Sequence, residues 1–258
     1  MSVVVPAYDE ADRIATTVDR LRTELADLDP EVVVVDDGSR DATAAEARRA
    51  GARVVALDRH RGKGAAVRAG ALAAEGAVVV VTDADLAYAP DQLRPFVDAV
   101  EAGTDLAVGN RSDERSATVG RRPASRAVAS RVFNLVTAGL LAGRYRDTQC
   151  GCKAFAAPAA RQVFGRAGVD GFAFDVEVLH VAERLGLAIA ELPVRVSAGG
   201  ASTVRLWRAG PAMLRDLWRV RRWSRGGRYD ERRDEGAAEG AVEGIDEVDG
   251  EGGGEGAA

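Results

Sequence analysis

Ala77-Val78-Val79-Val80-Val81-Thr82-Asp83-Ala84-Asp85 carries an unbroken run of four valines into a pair of carboxylates. A short β-branched run without polar interruption predicts a strand covered on both faces, as in the parallel sheets of α/β domains. Residues 3–5, 31–35, 53–57 and 105–108 repeat the pattern, and the segments between them are rich in Ala, Arg and Glu at helical spacing. This alternation predicts an α/β domain with a mainly parallel sheet flanked by helices. In such sheets ligands sit beyond the carboxyl ends of the strands. The chemistry-bearing residues of this chain cluster there: Pro6-Ala7-Tyr8-Asp9-Glu10, Asp36-Asp37-Gly38-Ser39, Asp83-Ala84-Asp85 and Gly109-Asn110-Arg111 each follow a predicted strand.

The regularity weakens after Ser112. A loop to Pro123, a helix over 124–142, the polar stretch from Arg146 to Lys153, a helix over 174–185, a strand over 188–194 and a Trp-bearing amphipathic helix over 207–223 are expected. One domain therefore spans 1–225, with a regular half at 1–112 and a less regular half at 113–225.

The chain has 258 residues and a formal charge of −5, but 226–258 alone carries −8. That Gly/Glu-rich tail has too little apolar surface to offset the entropy of ordering and is expected to be disordered. The body, at +3, suits phosphate-bearing ligands or an anionic membrane surface and is too weakly charged to argue for nucleic acid. Its only lysines are Lys63 and Lys153. Cys150 and Cys152 are the only cysteines, which supports neither a disulfide framework nor a zinc site and fits the reducing cytoplasm. Apolar runs such as 135–142 fall short of the roughly 20 residues that span a bilayer. With strand-like residues from Val3 onward, no signal peptide is expected.

Asp83 and Asp85, spaced i, i+2 at a strand end, can share one hard divalent cation, Mg²⁺ or Mn²⁺, with a diphosphate. The bland alternative is a solvated turn or helix cap. Asp36 and Asp37 read either as a strand-to-helix turn or as carboxylates for base or ribose donors. Arg61-Gly62-Lys63-Gly64 opens a helix where glycines could admit an anion to the backbone amides and Lys63 could add a point charge; its spacing is not that of a P-loop. Arg111 is either a phosphate contact or a surface ion pair. His60 and His180 read as a loop residue and a helix-face residue without a role, and Cys152 as packing.

In their order and spacing, Val5-Pro6-Ala7-Tyr8-Asp9-Glu10, Asp36-Asp37-Gly38-Ser39, Gly62-Lys63-Gly64, Asp83-Ala84-Asp85 and Gly109-Asn110-Arg111 resemble glycosyltransferase family 2. That family has the GT-A fold, a Rossmann-like nucleotide-sugar-binding architecture; the resemblance covers about residues 3–223 and implies a nucleotide-binding half at 1–112 and an acceptor-side half at 113–225. Asp147-Thr148-Gln149-Cys150-Gly151-Cys152-Lys153, Phe174-Asp175-Val176-Glu177 and Gly200-Ala201-Ser202 look like the dolichyl-phosphate β-glucosyltransferase branch, with dolichyl-phosphate mannosyltransferases as close relatives. The resemblance implies that Pro6, Tyr8, Glu10 and Asp36, with Asp37 and Lys63 beside them, form the nucleotide-sugar site. It further implies that Asp83 and Asp85 hold the metal and diphosphate, and that Arg111 faces the phosphates or the acceptor. Gln149, Lys153, Ser202 and Arg205 complete the expected acceptor-phosphate contacts. Asp9 stands where the family has Asn, and Ala201-Ser202-Thr203 replaces Gly-Ser-Lys, so Arg205 or Arg195 would have to supply the missing positive charge.

Asp175 or Glu177 resembles the general base of family members that glycosylate hydroxyl groups. The bland alternative for Asp175 is a first-turn helix acid. A lipid phosphate needs no base, since its second ionisation lies near pH 6. The expected activity is inverting transfer of a hexose, glucose from UDP-glucose, to dolichyl or polyprenyl phosphate by an enzyme peripherally bound at the cytoplasmic membrane face. A GDP-mannose donor, a sugar-hydroxyl acceptor, and a non-catalytic nucleotide-sugar-binding scaffold are the alternatives. Docking would use the apolar helix bearing Phe133, Leu135, Val136, Leu140 and Leu141, or the one in which Trp207, Trp218 and Trp223 alternate with arginines.

Overall fold

The computed structural model describes residues 1–119, 147–197 and 206–230. The expected helix over 124–142, Ser202, Arg205 and the tail beyond 230 lie outside the described residues. The order of elements is β1 (Ser2–Ala7), α1 (Ala11–Glu24), β2 (Glu31–Asp36), α2 (Thr43–Arg49), β3 (Arg53–Ala56), α3 (Lys63–Ala73), β4 (Val78–Val81), α4 (Arg94–Glu101), β5 (Leu106–Asn110), β6 (Ala117–Val119), β7 (Lys153–Ala156), α5 (Ala157–Arg166), α6 (Phe174–Arg184), β8 (Ile189–Pro193), β9 (Arg195–Ser197) and α7 (Leu206–Arg225).

Seven strands form one sheet in the order β3-β2-β1-β4-β7-β5-β8, and β6 pairs with β9 in a second, two-stranded sheet. β1 lies parallel between β2 and β4, with Val4 opposite both Val33 and Val81. The parallel order is interrupted by β7, antiparallel to β4 and to β5. This strand was not expected from the sequence. It sets Val81 opposite Lys153, so a strand from residues 113–225 lies inside the sheet built by residues 1–112.

The valine runs are buried on both faces, as a covered parallel sheet requires. Val4, Val33, Val35, Val79 and Val81 face one core with Phe155 and Phe164. Val3, Val5, Val32, Val34, Val78 and Val80 face the other, against Ile14, Leu21 and Phe96. Burying each such side chain contributes about 1.5–3 kcal/mol before the entropy of ordering. Helix α1 buries Ile14, Val18 and Leu21, the i, i+4, i+7 stripe of an amphipathic helix.

The folded body continues past residue 225. Tyr229 is fully buried, and Asp230 is paired with Arg184. The tail boundary expected at 226 is therefore corrected to beyond Asp230: Gly226 and Gly227 end α7 in a turn that brings Tyr229 back onto α6. Among the described residues no helix is long and apolar enough to cross a membrane.

Candidate active site

The loops after β1, β2, β4 and β5 all leave the carboxyl edge of the sheet, where a crevice is expected, and hydrogen bonds tie the first two together. Asp9 holds a left-handed conformation, φ 53°, which Asp and Asn tolerate better than most residues. Its backbone N–H donates to Ser39 Oγ and its Oδ1 accepts from Arg40 N. These contacts are open to Asn as well as to Asp. Asp41 Oδ2 accepts from Ala11 N, and Thr43 Oγ1 from Glu10 N, so the β2 loop also caps the start of α1.

Within the acidic pair the two carboxylates divide. Asp36 Oδ1 accepts from Ser39 N within its own turn, leaving the second oxygen without such a bond in that turn. Asp37 is turned into the protein: Oδ1 accepts from Arg61 N and Oδ2 from Gly62 N, each at 2.8 Å, with His60 Nδ1 also 2.8 Å from Oδ2. Asp37 thus staples the 58–62 loop, and both its oxygens are engaged there. The same staple places His60 under Tyr8, ring centroids 4.0 Å apart. His60 was given no role in the sequence; its role here follows from a partner carboxylate 23 residues earlier in the chain, across β3.

The glycines of Gly62-Lys63-Gly64 admit a protein loop and not an anion. A Cβ on Gly62 would lie 2.6 Å from the Asp170 carbonyl oxygen, and one on Gly64 2.4 Å from that of Val169. Gly64 N and Ala65 N both donate to Asp170 O. The anion-cradle expectation is corrected accordingly: those amides are already used. Lys63 remains available to the crevice, with Nζ 2.5 Å from Asp83 Oδ1. Burial acts to lower the Lys63 pKa, but Asp83, Asp175 and Asp85 outweigh it and hold the ammonium above its ordinary range.

Asp83 and Asp85 emerge at the end of β4, with Ala84 buried between them and Asp85 exposed. A Cβ on Gly151 would come within 2.4 Å of Asp83 Oδ2, so any other residue there would displace that carboxylate. Glu10 completes the acidic mouth. Its pKa is raised by burial first, offset by Arg13 and raised further by Asp85, Asp41 and Asp83. Among the described residues no three metal-ligating side chains converge; Asp83, paired with Lys63, and Asp85 offer hard oxygen donors at one strand end, so a divalent cation there would need a diphosphate to complete its shell.

Arg111 is held by Asp147 through Nε to Oδ2 at 2.7 Å and Nη2 to Oδ1 at 2.6 Å, and its backbone N–H reaches Oδ2 at 2.9 Å. Burial pushes the Asp147 pKa up, yet the Arg111 hydrogen bonds and charge hold it below its ordinary value. Gln149 is half-buried on the same loop. Lys153 is not open to an acceptor. It is 2 % exposed, with Nζ 2.5 Å from both the Cys150 carbonyl and Asp175 Oδ1. The structure withdraws Lys153 from the phosphate contacts and Asp175 from the free bases. Glu177, fully buried, accepts from Gly168 N, Val169 N and the Tyr229 hydroxyl. Arg195 is engaged with Asp91 at the surface.

Residues 2–164 match the Glycosyl transferase family 2 model. The chain belongs to glycosyl transferase family 2. It is 34 % identical over 241 residues to a dolichyl-phosphate beta-glucosyltransferase of Drosophila melanogaster, covering 85 % of this chain and 74 % of that one. The Homo sapiens protein of the same name is 33 % identical, with 80 % and 70 % covered. A polyprenol monophosphomannose synthase of Mycolicibacterium smegmatis is 29 % identical, with 90 % and 89 % covered. Among solved structures, glucosyl-3-phosphoglycerate synthase from Mycobacterium tuberculosis in complex with Mn²⁺, UDP-glucose and glycerol 3-phosphate superposes with a TM-score of 0.63 at 25 % identity, covering 88 % of this chain and 79 % of that one. The fold is GT-A, and this family 2 chain is a glycosyltransferase.

Proposed function

We propose that the enzyme transfers glucose from UDP-glucose to a dolichyl or polyprenyl phosphate, with inversion, while peripherally bound at the cytoplasmic membrane face. The observation that carries this reading is the buried Lys153–Asp175 pair. A hydroxyl acceptor needs a carboxylate free to take its proton; a phosphate acceptor arrives already ionised. The dolichyl-phosphate glucosyltransferases among the relatives support the acceptor class.

Pro6, Tyr8, Glu10 and Asp36 line the nucleotide end, Tyr8 as a ring already stacked on His60. Asp83 and Asp85 would hold Mg²⁺ or Mn²⁺, which supplies Lewis-acid neutralisation of the departing diphosphate. Lys63 adds a cation at the same edge. Arg111, oriented by Asp147, and Gln149 position the acceptor phosphate. A phosphate oxygen forms the new bond to the anomeric carbon from the face opposite the nucleotide. The old carbon–oxygen bond breaks, and its electron pair leaves on the nucleoside diphosphate.

Helix α7 supports attachment to an anionic surface. Met213, Leu217 and Val220 are buried, whereas Leu214 and Trp218 are 49 % and 63 % exposed, flanked by Arg215, Arg219, Arg222 and Arg225. A basic, Trp-bearing helix face suits a lipid interface.

A thermal-shift panel of UDP-glucose, UDP-GlcNAc and GDP-mannose, each with and without Mn²⁺, tests the donor, because ligands that bind only the folded state raise the midpoint. UDP-glucose with Mn²⁺ is expected to give the largest rise. The mycobacterial relative keeps the mannose alternative in view: a response to GDP-mannose alone would reassign the donor, and no response to any donor would remove this reading.

A further inference from the structure

We propose that Glu177 and Tyr229 form a positioning latch that holds the N-terminal end of α3, and with it Lys63, against Asp83. The segment after the last helix would then belong to the donor-binding machinery. The inference rests on the nucleotide-sugar reading of the site.

The latch is a chain of hydrogen bonds. Glu177 Oε1 accepts from the Tyr229 hydroxyl at 2.8 Å and from Gly168 N at 2.9 Å, and Oε2 accepts from Val169 N at 2.7 Å. Two consecutive amides of the loop between α5 and α6 are thus fixed by one carboxylate. The next carbonyl of that loop, Asp170 O, receives Gly64 N at 2.8 Å and Ala65 N at 3.2 Å. The Asp170 side chain adds Arg68 at 2.5 Å and Arg61 at 3.5 Å. Neither Gly62 nor Gly64 has room for a Cβ against this loop, so the start of α3 and the loop lie in direct backbone contact. The first residue of α3 is Lys63, whose Nζ meets Asp83 at 2.5 Å.

Tyr229 is tied down from several sides. It is fully buried and meets His180 edge to face at 5.9 Å. Its neighbours Arg228 and Asp230 are held by the Trp223 ring and by Arg184. A carboxylate is an expensive group to bury, and burial is the first cause that raises the Glu177 pKa, offset by the two amides, the Tyr229 hydroxyl and Arg68. An apolar side chain would fill this space at lower cost. What the carboxylate does that an apolar group cannot is grip both amides and the hydroxyl at once. It is thereby a positioning residue and not the acceptor's base.

The test uses the full chain and measures binding of UDP with Mn²⁺ by calorimetry across pH 5 to 8. Tyr229→Phe keeps the buried ring and removes only the hydroxyl. It should weaken UDP affinity about three- to tenfold. The acid limb of the affinity profile should move to higher pH, because Glu177 loses a bond that favours its ionised form. The groups facing Glu177 are Tyr229 from the terminal segment, Arg68 from α3 and the Gly168 and Val169 amides; His180, on its own helix, faces the Tyr229 ring. In the double variant Lys63→Met with Tyr229→Phe, affinity should be no lower than in Lys63→Met alone, since the latch acts through Lys63. Additive losses, or an unchanged affinity and acid limb in Tyr229→Phe, overturn the latch while leaving the site reading intact. A parent that does not bind UDP with Mn²⁺ overturns the site reading and the latch with it.

Discussion

Replacing Asp175 by Asn separates a structural from a catalytic carboxylate. Lys153 and Asp175 have side chains only 3 % and 8 % exposed, 2.5 Å apart. Removing the carboxylate charge leaves the Lys153 ammonium buried against neutral acceptors, the Cys150 carbonyl and the new amide oxygen, a situation that costs about 3–5 kcal/mol. At about 2–4 °C per kcal/mol for a domain of this size, the melting midpoint of Asp175→Asn should fall by roughly 6–20 °C. Replacing both partners by apolar groups, Lys153→Met with Asp175→Leu, should recover most of that loss, since a buried pair is often no better than well-packed hydrophobic residues. Activity is then measured on the double variant at a temperature where it is fully folded, with UDP-glucose and a short polyprenyl phosphate. If the pair is structural, turnover returns to within about tenfold of the parent as the fold does. A general base contributes about 10²- to 10⁴-fold. A double variant that is stable yet slowed by that much, with the acid limb of its rate profile gone, would refute the argument and restore Asp175 as the base.

Among the described residues Asp85, which is exposed, bonds only Ala87 N through Oδ1 in its own turn; Asp85→Ala should leave the melting midpoint nearly unchanged while lowering turnover at least about 100-fold, an effect that EDTA should reproduce. Full activity in excess EDTA would contradict the metal role. Deleting residues 231–258 should leave stability unchanged, but extending the deletion through Gly226 removes the buried Tyr229 and should cost about 3–5 kcal/mol, as loss of a large core aromatic does; equal midpoints for the two truncations would contradict this. Burial, then Arg184, lowers the His180 pKa from 6.5. The unfolded chain therefore takes the proton first, and stability should fall as pH drops through about 6.5; denaturation of His180→Gln should show a shallower slope there, and an unaltered slope would count against it. Trp218→Ala with Arg222→Ala and Arg225→Ala should reduce salt-sensitive flotation with anionic liposomes, at about 1 kcal/mol per arginine, without altering UDP affinity; unchanged flotation would remove α7 from membrane attachment.

The sheet and its catalytic edge were legible because the signal is local. Four valines running into Asp83 and Asp85, or into Asp36 and Asp37 after Val32 to Val35, state both a covered strand and the polar loop that follows it. The antiparallel strand β7 was not legible: Lys153-Ala154-Phe155-Ala156 is four residues long and opens with a lysine, a residue that rarely lies fully buried without a partner. That partner, Asp175, sits 22 residues onward on another element, so the pairing that internalises Lys153 is tertiary. The same limit governs adjacent carboxylates. Nothing in the order Asp36-Asp37 says which one staples the 58–62 loop; the strand register decides it. Glu177 looked equivalent to Asp175 two residues before it, yet a helix turns residues two apart to different faces, and only Glu177 meets the loop at Gly168.

The antiparallel strand has a consequence for how this chain can be recombined. The sequence invites a cut near residue 112 between a donor half and an acceptor half, yet β7 returns to the centre of the first half's sheet, with β4 on one side and β5 on the other. A cassette of residues 113–225 carried over from a relative with another acceptor would therefore import a central rung of the donor's own scaffold, together with the lysine that faces Val81. Exchange of acceptor preference between relatives should be tolerated when the graft spares 153–156, and the breakpoints that matter are the two ends of that strand.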